Sequence, residues 1–262
     1  MKLISKIIKF ELNNTMRSKW VIVYSVFFLV LTYLLFNFER DADKAALSLM
    51  NIVLLVIPLI SIIYGTMYVY NSIDYIQMVL CQPIDRKSLF VGLFLGNSIP
   101  LALGFLSGTF LGVILNGISF VTVFPLLILI ILGVILTFIF TSIAFLTALK
   151  FNDKARGLGA SILIWLMLAV VYDGIVLFII YIFREYPIEN FVIVLSLLNP
   201  IDLGRIFFIL DFNISALMGY TGALFQKFFG STFGSIISIS VMVIWFTIPL
   251  LFGLRSFNKK DF

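Results

Sequence analysis

Asp173 is the residue whose type and position point most directly to chemistry. It stands in VVYDGIV, within a long apolar run, and it is the only ionisable residue well inside such a run. If the run is a helix from Gly157, Asp173 lies about 24 Å along it, a little past the middle of a membrane. A carboxylate there is by default a functional candidate. Two roles stay open: contact with a polar substrate, or a hydrogen bond that locks helices through a nearby Tyr, Ser or Asn.

Met78 and Cys81 are the residues with soft ligand atoms. Standing three positions apart, they could face one side of a helix as ligands for Cu(I). Two sulfur atoms without a third ligand make a weak site, and ordinary packing is the simpler interpretation. The chain has no histidine and one cysteine. This excludes an intramolecular disulfide and removes haem b ligation, most copper or zinc sites and a histidine proton relay.

Enzyme signatures are missing from the sequence. It has no Walker A motif, no GxGxxG, no Cys/His metal spacing and no nucleophile paired with a base. We therefore expect no catalytic residue and no bound cofactor in this chain. Any energy that it uses must come from elsewhere.

The composition is that of an integral membrane protein. Of 262 residues, 62% are hydrophobic and 12% are charged. Apolar runs longer than about 18 residues, without strand alternation, predict an all-α protein with a single transmembrane domain over 1–262. The net charge of +5 comes from basic residues that flank the runs, which favours anionic lipid over nucleic acid as the partner. Six predicted spans are 20–37, 47–70, 89–115, 121–149, 157–182 and 234–254.

Orientation follows from the basic residues. With the N-terminus inside, 13 of the 18 lysines and arginines are cytoplasmic. The other five are Arg40, Lys44, Arg184, Arg205 and Lys227. This asymmetry predicts that both termini are cytoplasmic.

The stretch 191–210 is apolar enough to resemble a seventh span. Asn199, Pro200, Asp202 and Arg205 interrupt it. Asn199 as N-cap and Pro200 at the first helical position predict a helix start there. We therefore expect 183–233 to be a periplasmic segment, with short re-entrant or interfacial helices in 199–233.

The N-terminal residues 1–19 have the pattern of an amphipathic helix lying on the inner leaflet, with apolar residues on one side and lysines on the other. Glu11 falls in the middle of the apolar side. A carboxylate facing acyl chains is costly, so we expect Glu11 to face protein at the cytoplasmic base of the bundle. The alternative is that the helix frays before Glu11 and the carboxylate reaches water.

Residues 71–88 join the second and third spans. Ile73 to Leu80 is compatible with a short helix, which Pro83 stops. Asp85 or Ser88 can then cap the third span, with Arg86 and Lys87 at the lipid boundary. The segment is either a cytoplasmic helix and turn that contacts a soluble partner, or a plain connecting loop.

The third span carries a ridge of small residues that lets two helices approach closely. We expect it to pack within the subunit, with dimerisation as the alternative. Its glycines are Gly92, Gly96, Gly104, Gly108 and Gly112.

These features together resemble a known family. KFEL in the N-terminal helix, six spans, QPIDRKSLFVGLFLG before the third span and a closing LRSFNKK are similar to the ABC-2 class of ABC-transporter permeases. Within that class, KFNDKARGLGASILIW, LAVVYDGIVL and above all LLNPIDLGRIF resemble the NosY-type permeases. Those permeases serve maturation of the copper enzyme nitrous oxide reductase.

The resemblance implies a type V exporter-like permease fold and a set of roles. Glu11 would belong to a cytoplasmic connecting helix, and Asn199, Pro200, Asp202 and Arg205 would face a periplasmic β-helical partner of the NosD type. One departure is SIDYIQ, which keeps only Asp74 of the acidic-Gly-Thr sequence common before the coupling turn. The residues that would contact an ATPase subunit are Asp74, Tyr75, Gln77, Pro83, Asp85 and Arg86.

The implied assembly is a homodimer of permeases with a NosF-like ATPase subunit that binds ATP and Mg²⁺. Closure of the ATPases would rock the two bundles through the coupling helix. Two alternatives stay open: an ABC-2 exporter of a peptide, lipid or drug-like molecule, and a membrane anchor of an assembly complex that transports nothing.

Overall fold

The computed structural model is helical throughout the part of the chain that it describes. The described residues are 9, 11–13, 15–16, 18–39, 41–116, 120–183, 189–211 and 232–260. Most of the predicted amphipathic helix at 1–19, and residues 184–188 and 212–231 of the predicted periplasmic segment, lie outside them. The helices are α1 Lys19–Phe38, α2 Ala42–Asn71, α3 Ile73–Leu80, α4 Arg86–Leu115, α5 Phe120–Lys150, α6 Lys154–Leu166, α7 Tyr172–Ile182, α8 Glu189–Leu197, α9 Pro200–Asp211 and α10 Thr232–Lys259.

Among the described residues, six segments are long and apolar enough to cross a membrane, which confirms the predicted number. Each overlaps a predicted span, because the length of an apolar run is itself a sequence property. The fifth contains a π-helical turn, Met167–Val171, between α6 and α7. The six are Lys19–Phe38, Ala42–Asn71, Arg86–Leu115, Leu126–Lys150, Lys154–Ile182 and Gly234–Lys259.

The α8–α9 pair is bent by 112° between Phe191–Leu197 and Pro200–Ile209.

Hydrogen bonds between span ends show that α7 ends and α10 begins at the same end of the bundle. Lys154, at the start of α6, donates to the side chain of Asn71 at the end of α2. Lys260, after α10, donates to the carbonyl of Leu149 at the end of α5. Both contacts lie at one end of the bundle, so α7 ends and α10 begins at the other end.

The glycine ridge of α4 packs against α1 within the subunit, as predicted. A Cβ on Gly108 would overlap the carbonyl oxygen of Ser25, and one on Gly112 would lie 2.7 Å from the Cβ of Thr32. One turn earlier, a Cβ on Gly104 would lie 3.2 Å from the ring of Tyr24. The small residues allow the two backbones to approach, and the apolar core then fills the space between these helices and α2 and α5.

Candidate functional site

Helix α3 is bound to the bundle on one side and exposed on the other. Ile76 and Val79 are buried in a cluster with residues of α2, α4, α5 and α10. Asp74 and Gln77 are exposed. Positions three and four apart share a face of a helix, so the inward face is apolar, while the exposed face carries Asp74, Gln77 and the apolar Met78. The predicted short helix is therefore confirmed, and it presents a surface that the rest of the subunit does not cover.

The turn after α3 contains Pro83 and leads directly into α4. Pro83 is exposed, and Asp85 stands at the N-cap position immediately before Arg86. The side chain of Asp85 does not accept a backbone N–H; it accepts from the hydroxyl of Ser88 at 3.3 Å. The predicted start of the third span is confirmed, while the predicted capping bond is not formed.

Arg86 forms hydrogen bonds within the subunit. Its guanidinium donates to the carbonyl oxygens of Asn258 and Lys260, both at 3.0 Å, and so satisfies the C-terminal end of α10. This contact within the subunit was not expected from the sequence, and the ATPase contact of Arg86 stays a prediction. These carbonyl groups lie 172 and 174 residues away in the sequence, so no local sequence pattern predicts the contact.

Met78 and Cys81 are both exposed, Met78 to 59%. Within the subunit, Ile76 and Val79 occupy the inward face of α3. Ordinary packing and Cu(I) binding of the two sulfur side chains both stay predictions. Among the residues that the structure describes, no three His, Cys, Asp or Glu side chains come together as metal ligands.

Glu11 is buried against the base of the bundle, with 4% of its surface exposed. Tyr68 of α2 donates a hydrogen bond of 2.5 Å to its carboxylate, and Tyr75 of α3 also bonds to it. A Cβ on Gly96 of α4 would overlap the Cβ of Glu11. Burial raises the pKa of the Glu11 carboxyl above its usual value, and the two tyrosine hydroxyls oppose that shift. The prediction that Glu11 faces protein is confirmed, and fraying into water is excluded.

Asn199 joins the α8–α9 bend to the middle of the fifth span, Lys154–Ile182. Its side-chain oxygen accepts from the backbone N–H of Ile201 at 3.1 Å, as an N-cap does. Its amide donates to the carbonyl of Leu168 at 2.9 Å, in the π-helical turn. A π turn disturbs the regular hydrogen-bond ladder of a helix, and here a side chain binds one of its carbonyls. The predicted helix start at Pro200 is confirmed.

Asp173 and Arg205 form an ion pair of 3.0 Å, and Arg205 also lies 3.3 Å from Asp202. Asp173 and residues 199–205 are separate features in the sequence, and in the structure they form one cluster. The helix-locking role was expected to use a Tyr, Ser or Asn, and the partner is instead an arginine. Asn199, Pro200 and Asp202 are buried, so a surface for a periplasmic partner cannot consist of these three side chains.

Comparison with known proteins identifies the family. A family model described as "ABC-2 family transporter protein" matches residues 38–262. The chain belongs to the ABC-2 family of transporter proteins. This ABC-2 permease is 21% identical over 269 residues to the "Probable ABC transporter permease protein NosY" of Stutzerimonas stutzeri, covering 95% of this chain and 96% of that protein. It is 23% identical over 261 residues to the protein of the same name from Pseudomonas aeruginosa, covering 93% and 91%.

Two of the polar clusters among the described residues of this ABC-2 permease contain acids that the sequence singled out. One joins the N-terminal segment to α3 through Glu11, Tyr68 and Tyr75. The other joins the fifth span to α9 through Asp173 and Arg205. Sequence reasoning found Glu11 and Asp173 because each is an acid in an apolar setting. It missed Tyr68, since a tyrosine at the end of a membrane helix is common and carries no signal of its own. It named Tyr75 for an ATPase contact and did not foresee its bond to Glu11.

Proposed function

We propose that this permease subunit is driven by a separate, NosF-like ATPase that contacts the exposed face of α3 and the turn at Pro83. The observation that carries the proposal is the two-sided character of α3. Its apolar face is anchored in the bundle by Ile76 and Val79, while Asp74 and Gln77 are exposed. A helix held rigidly on one side moves as a body when its other side is displaced.

Two routes are available for such a movement. Ile76 and Val79 pack with residues of four spans, so displacement of α3 acts on the bundle directly. Tyr75 and Tyr68 bond to Glu11, so the N-terminal segment moves with α3. This second route supports a connecting-helix role for Glu11. ATP and Mg²⁺ would be bound by the ATPase alone.

The test is co-purification with the ATPase subunit in mild detergent, followed by ATP turnover in proteoliposomes. Asp74→Arg reverses a charge on the proposed contact and is expected to reduce association and stimulated turnover by about tenfold. Asp43→Arg is the matched control, since Asp43 is exposed in the first turn of α2 at the opposite end. Normal association and turnover in Asp74→Arg and in Pro83→Ala would reject the coupling role.

The orientation and assembly follow from the same proposal. The α3 end of the bundle would face the cytoplasm of a bacterial inner membrane, as the excess of basic residues at that end supports. A homodimer is supported by the fifth span, Lys154–Ile182, of which only a small share is buried within the subunit. Leu177 and Phe178 are among its exposed residues. A NosD-like periplasmic protein would bind on the side of the membrane away from α3, and the partly exposed Arg205 is the residue of 199–205 available to it.

The specific role we propose is copper-site assembly of nitrous oxide reductase, which rests on the similarity to NosY-type permeases. In the source organism, deletion of the gene is expected to leave the reductase without its copper. A reductase with its full copper content would contradict this role and leave the ATPase coupling untouched. The two proposals therefore fail separately.

A further inference from the structure

The C-terminal ends of α5 and α10 lie side by side and form a groove of about 420 Å³. Two of its lining residues come from α5, one turn apart, and four come from one face of α10. This spacing gives the groove an apolar part and a charged part. The lining residues are Leu146, Lys150, Phe252, Arg255, Ser256 and Lys259.

Three cations converge on the groove. Lys150, Arg255 and Lys259 are all exposed, and among the ion pairs of the described residues none involves them. Three positive charges at one groove repel one another unless an anion lies between them. The groove therefore offers strong electrostatic complementarity to a negatively charged group.

Capping of the helix ends does not account for these three cations. The C-terminal carbonyls of a helix attract basic side chains, and one or two lysines there would be ordinary. Here other residues fill that role. Lys260 donates to the carbonyl of Leu149 at the end of α5, and Arg86 donates to the carbonyls of Asn258 and Lys260 at the end of α10.

The apolar part of the groove lies deeper along the same helices. Leu146 stands one turn before Lys150, and Phe252, which is 56% exposed, stands about two turns before Lys259. Both helices are membrane spans that end at these cations. A ligand that fits must therefore carry an anionic head at the membrane boundary and an apolar tail that runs into the hydrocarbon.

We propose that this groove binds an anionic phospholipid, with the phosphate between Lys150, Arg255 and Lys259 and an acyl chain against Leu146 and Phe252. The hydroxyl of Ser256 lies in the same lining and can donate to a phosphate oxygen. The bound lipid would tie the end of α5 to the end of α10. The proposal does not depend on the ATPase coupling.

The test is native mass spectrometry of the full permease in mild detergent after delipidation. Phosphatidylglycerol is added back, with phosphatidylcholine of the same acyl chains as the comparison. The groove variant is Lys150→Gln/Arg255→Gln/Lys259→Gln. The control variant, Lys9→Gln/Lys19→Gln/Arg156→Gln, removes the same charge from exposed residues at the same end of the bundle.

Wild-type and control proteins are expected to retain phosphatidylglycerol over phosphatidylcholine, and the groove variant is expected to lose that retention by about tenfold or more. Equal loss in both variants would show a general effect of net charge and overturn the site. Equal retention of the two lipids by the wild type would also overturn it. Displacement of phosphatidylglycerol by inorganic phosphate would show a site for a soluble anion and reject the lipid. Phe252→Ala is expected to weaken retention with all three cations in place.

Discussion

The guanidinium of Arg205 lies 3.0 Å from the carboxylate of Asp173 and 3.3 Å from that of Asp202. One cation in the α8–α9 hairpin is thus shared by two acids, one of them in the fifth span. The arrangement is asymmetric, because loss of either acid leaves the arginine paired, whereas loss of the arginine leaves two neighbouring carboxylates without a cation.

This asymmetry predicts different outcomes for two variants. Arg205→Gln is expected to lower the free energy of unfolding by about 1–2 kcal/mol, since two partly buried carboxylates are left without a cation. Asp173→Asn is expected to lower the free energy of unfolding by less than Arg205→Gln does. It should preserve assembly and reduce transport. Thermal unfolding in detergent and transport in proteoliposomes would measure both. If Asp173→Asn instead prevents insertion or dimer formation, Asp173 is a structural residue.

Close packing between α1 and α4 gives a second prediction. In Gly108→Ala the added methyl group would meet the carbonyl oxygen of Ser25, which belongs to a helix backbone and cannot rotate away. We expect a loss of roughly 1–3 kcal/mol in unfolding free energy. Gly159→Ala is the matched control, because a Cβ there has nothing within 4 Å. In Gly159→Ala the free energy of unfolding should rise by no more than about 1 kcal/mol. Equal effects of the two substitutions would contradict the packing.

Burial of Glu11 predicts a pH dependence. Because its pKa is raised in the folded protein, the protonated form fits the folded state best. The contribution of Glu11 to stability is greatest below its ordinary value of 4.5 and is lost as pH rises through the raised pKa. Hydrogen exchange of the N-terminal segment, corrected for the intrinsic rate, should therefore show less protection at higher pH. In Glu11→Gln this dependence should disappear; its persistence would assign the effect to another group.

The contact between Arg86 and the end of α10 predicts a local effect. Arg86→Ala removes the donor for the carbonyls of Asn258 and Lys260, so the last turn of α10 should fray. We expect the stability of the last turn of α10 to fall by about 1.5–3 kcal/mol, as for hydrogen bonds from a charged donor. Lys87→Ala is the control, because Lys87 is its exposed neighbour. Hydrogen exchange confined to the C-terminal peptides measures the difference. Similar protection in the two variants would show that Arg86 is dispensable there.

Cys81 permits a direct test of orientation. It is the single cysteine of the chain and is exposed in the turn after α3. A membrane-impermeant maleimide should label it in inside-out vesicles and not in intact spheroplasts. Cys81→Ser combined with Asp41→Cys moves the thiol to the start of α2 at the opposite end and should reverse the pattern. Labelling of Cys81 from the outside would make an ATPase contact at α3 geometrically impossible.

The sequence by itself determined the spans and several helix boundaries. Six apolar runs predicted six spanning helices, because the length of an apolar run and the thickness of the bilayer decide whether a helix crosses. Pro83 and the pair Asn199 and Pro200 predicted where helices stop and start, since their effect on the backbone is local. The sequence also indicated that Glu11 contacts protein. A carboxylate that faces acyl chains is unfavourable whichever residue binds it instead, so this prediction needed no knowledge of Tyr68 or Tyr75.

Tertiary structure alone decided which side chains meet. Arg86 contacts a carbonyl 172 residues away, and Asp173 pairs with Arg205, 32 residues on, across a bend of 112°. Spacing rules act over a few residues of one helix, so they cannot name a partner on another helix. Those pairings depend on how closely the helices approach, and that distance is set by packing of the whole bundle.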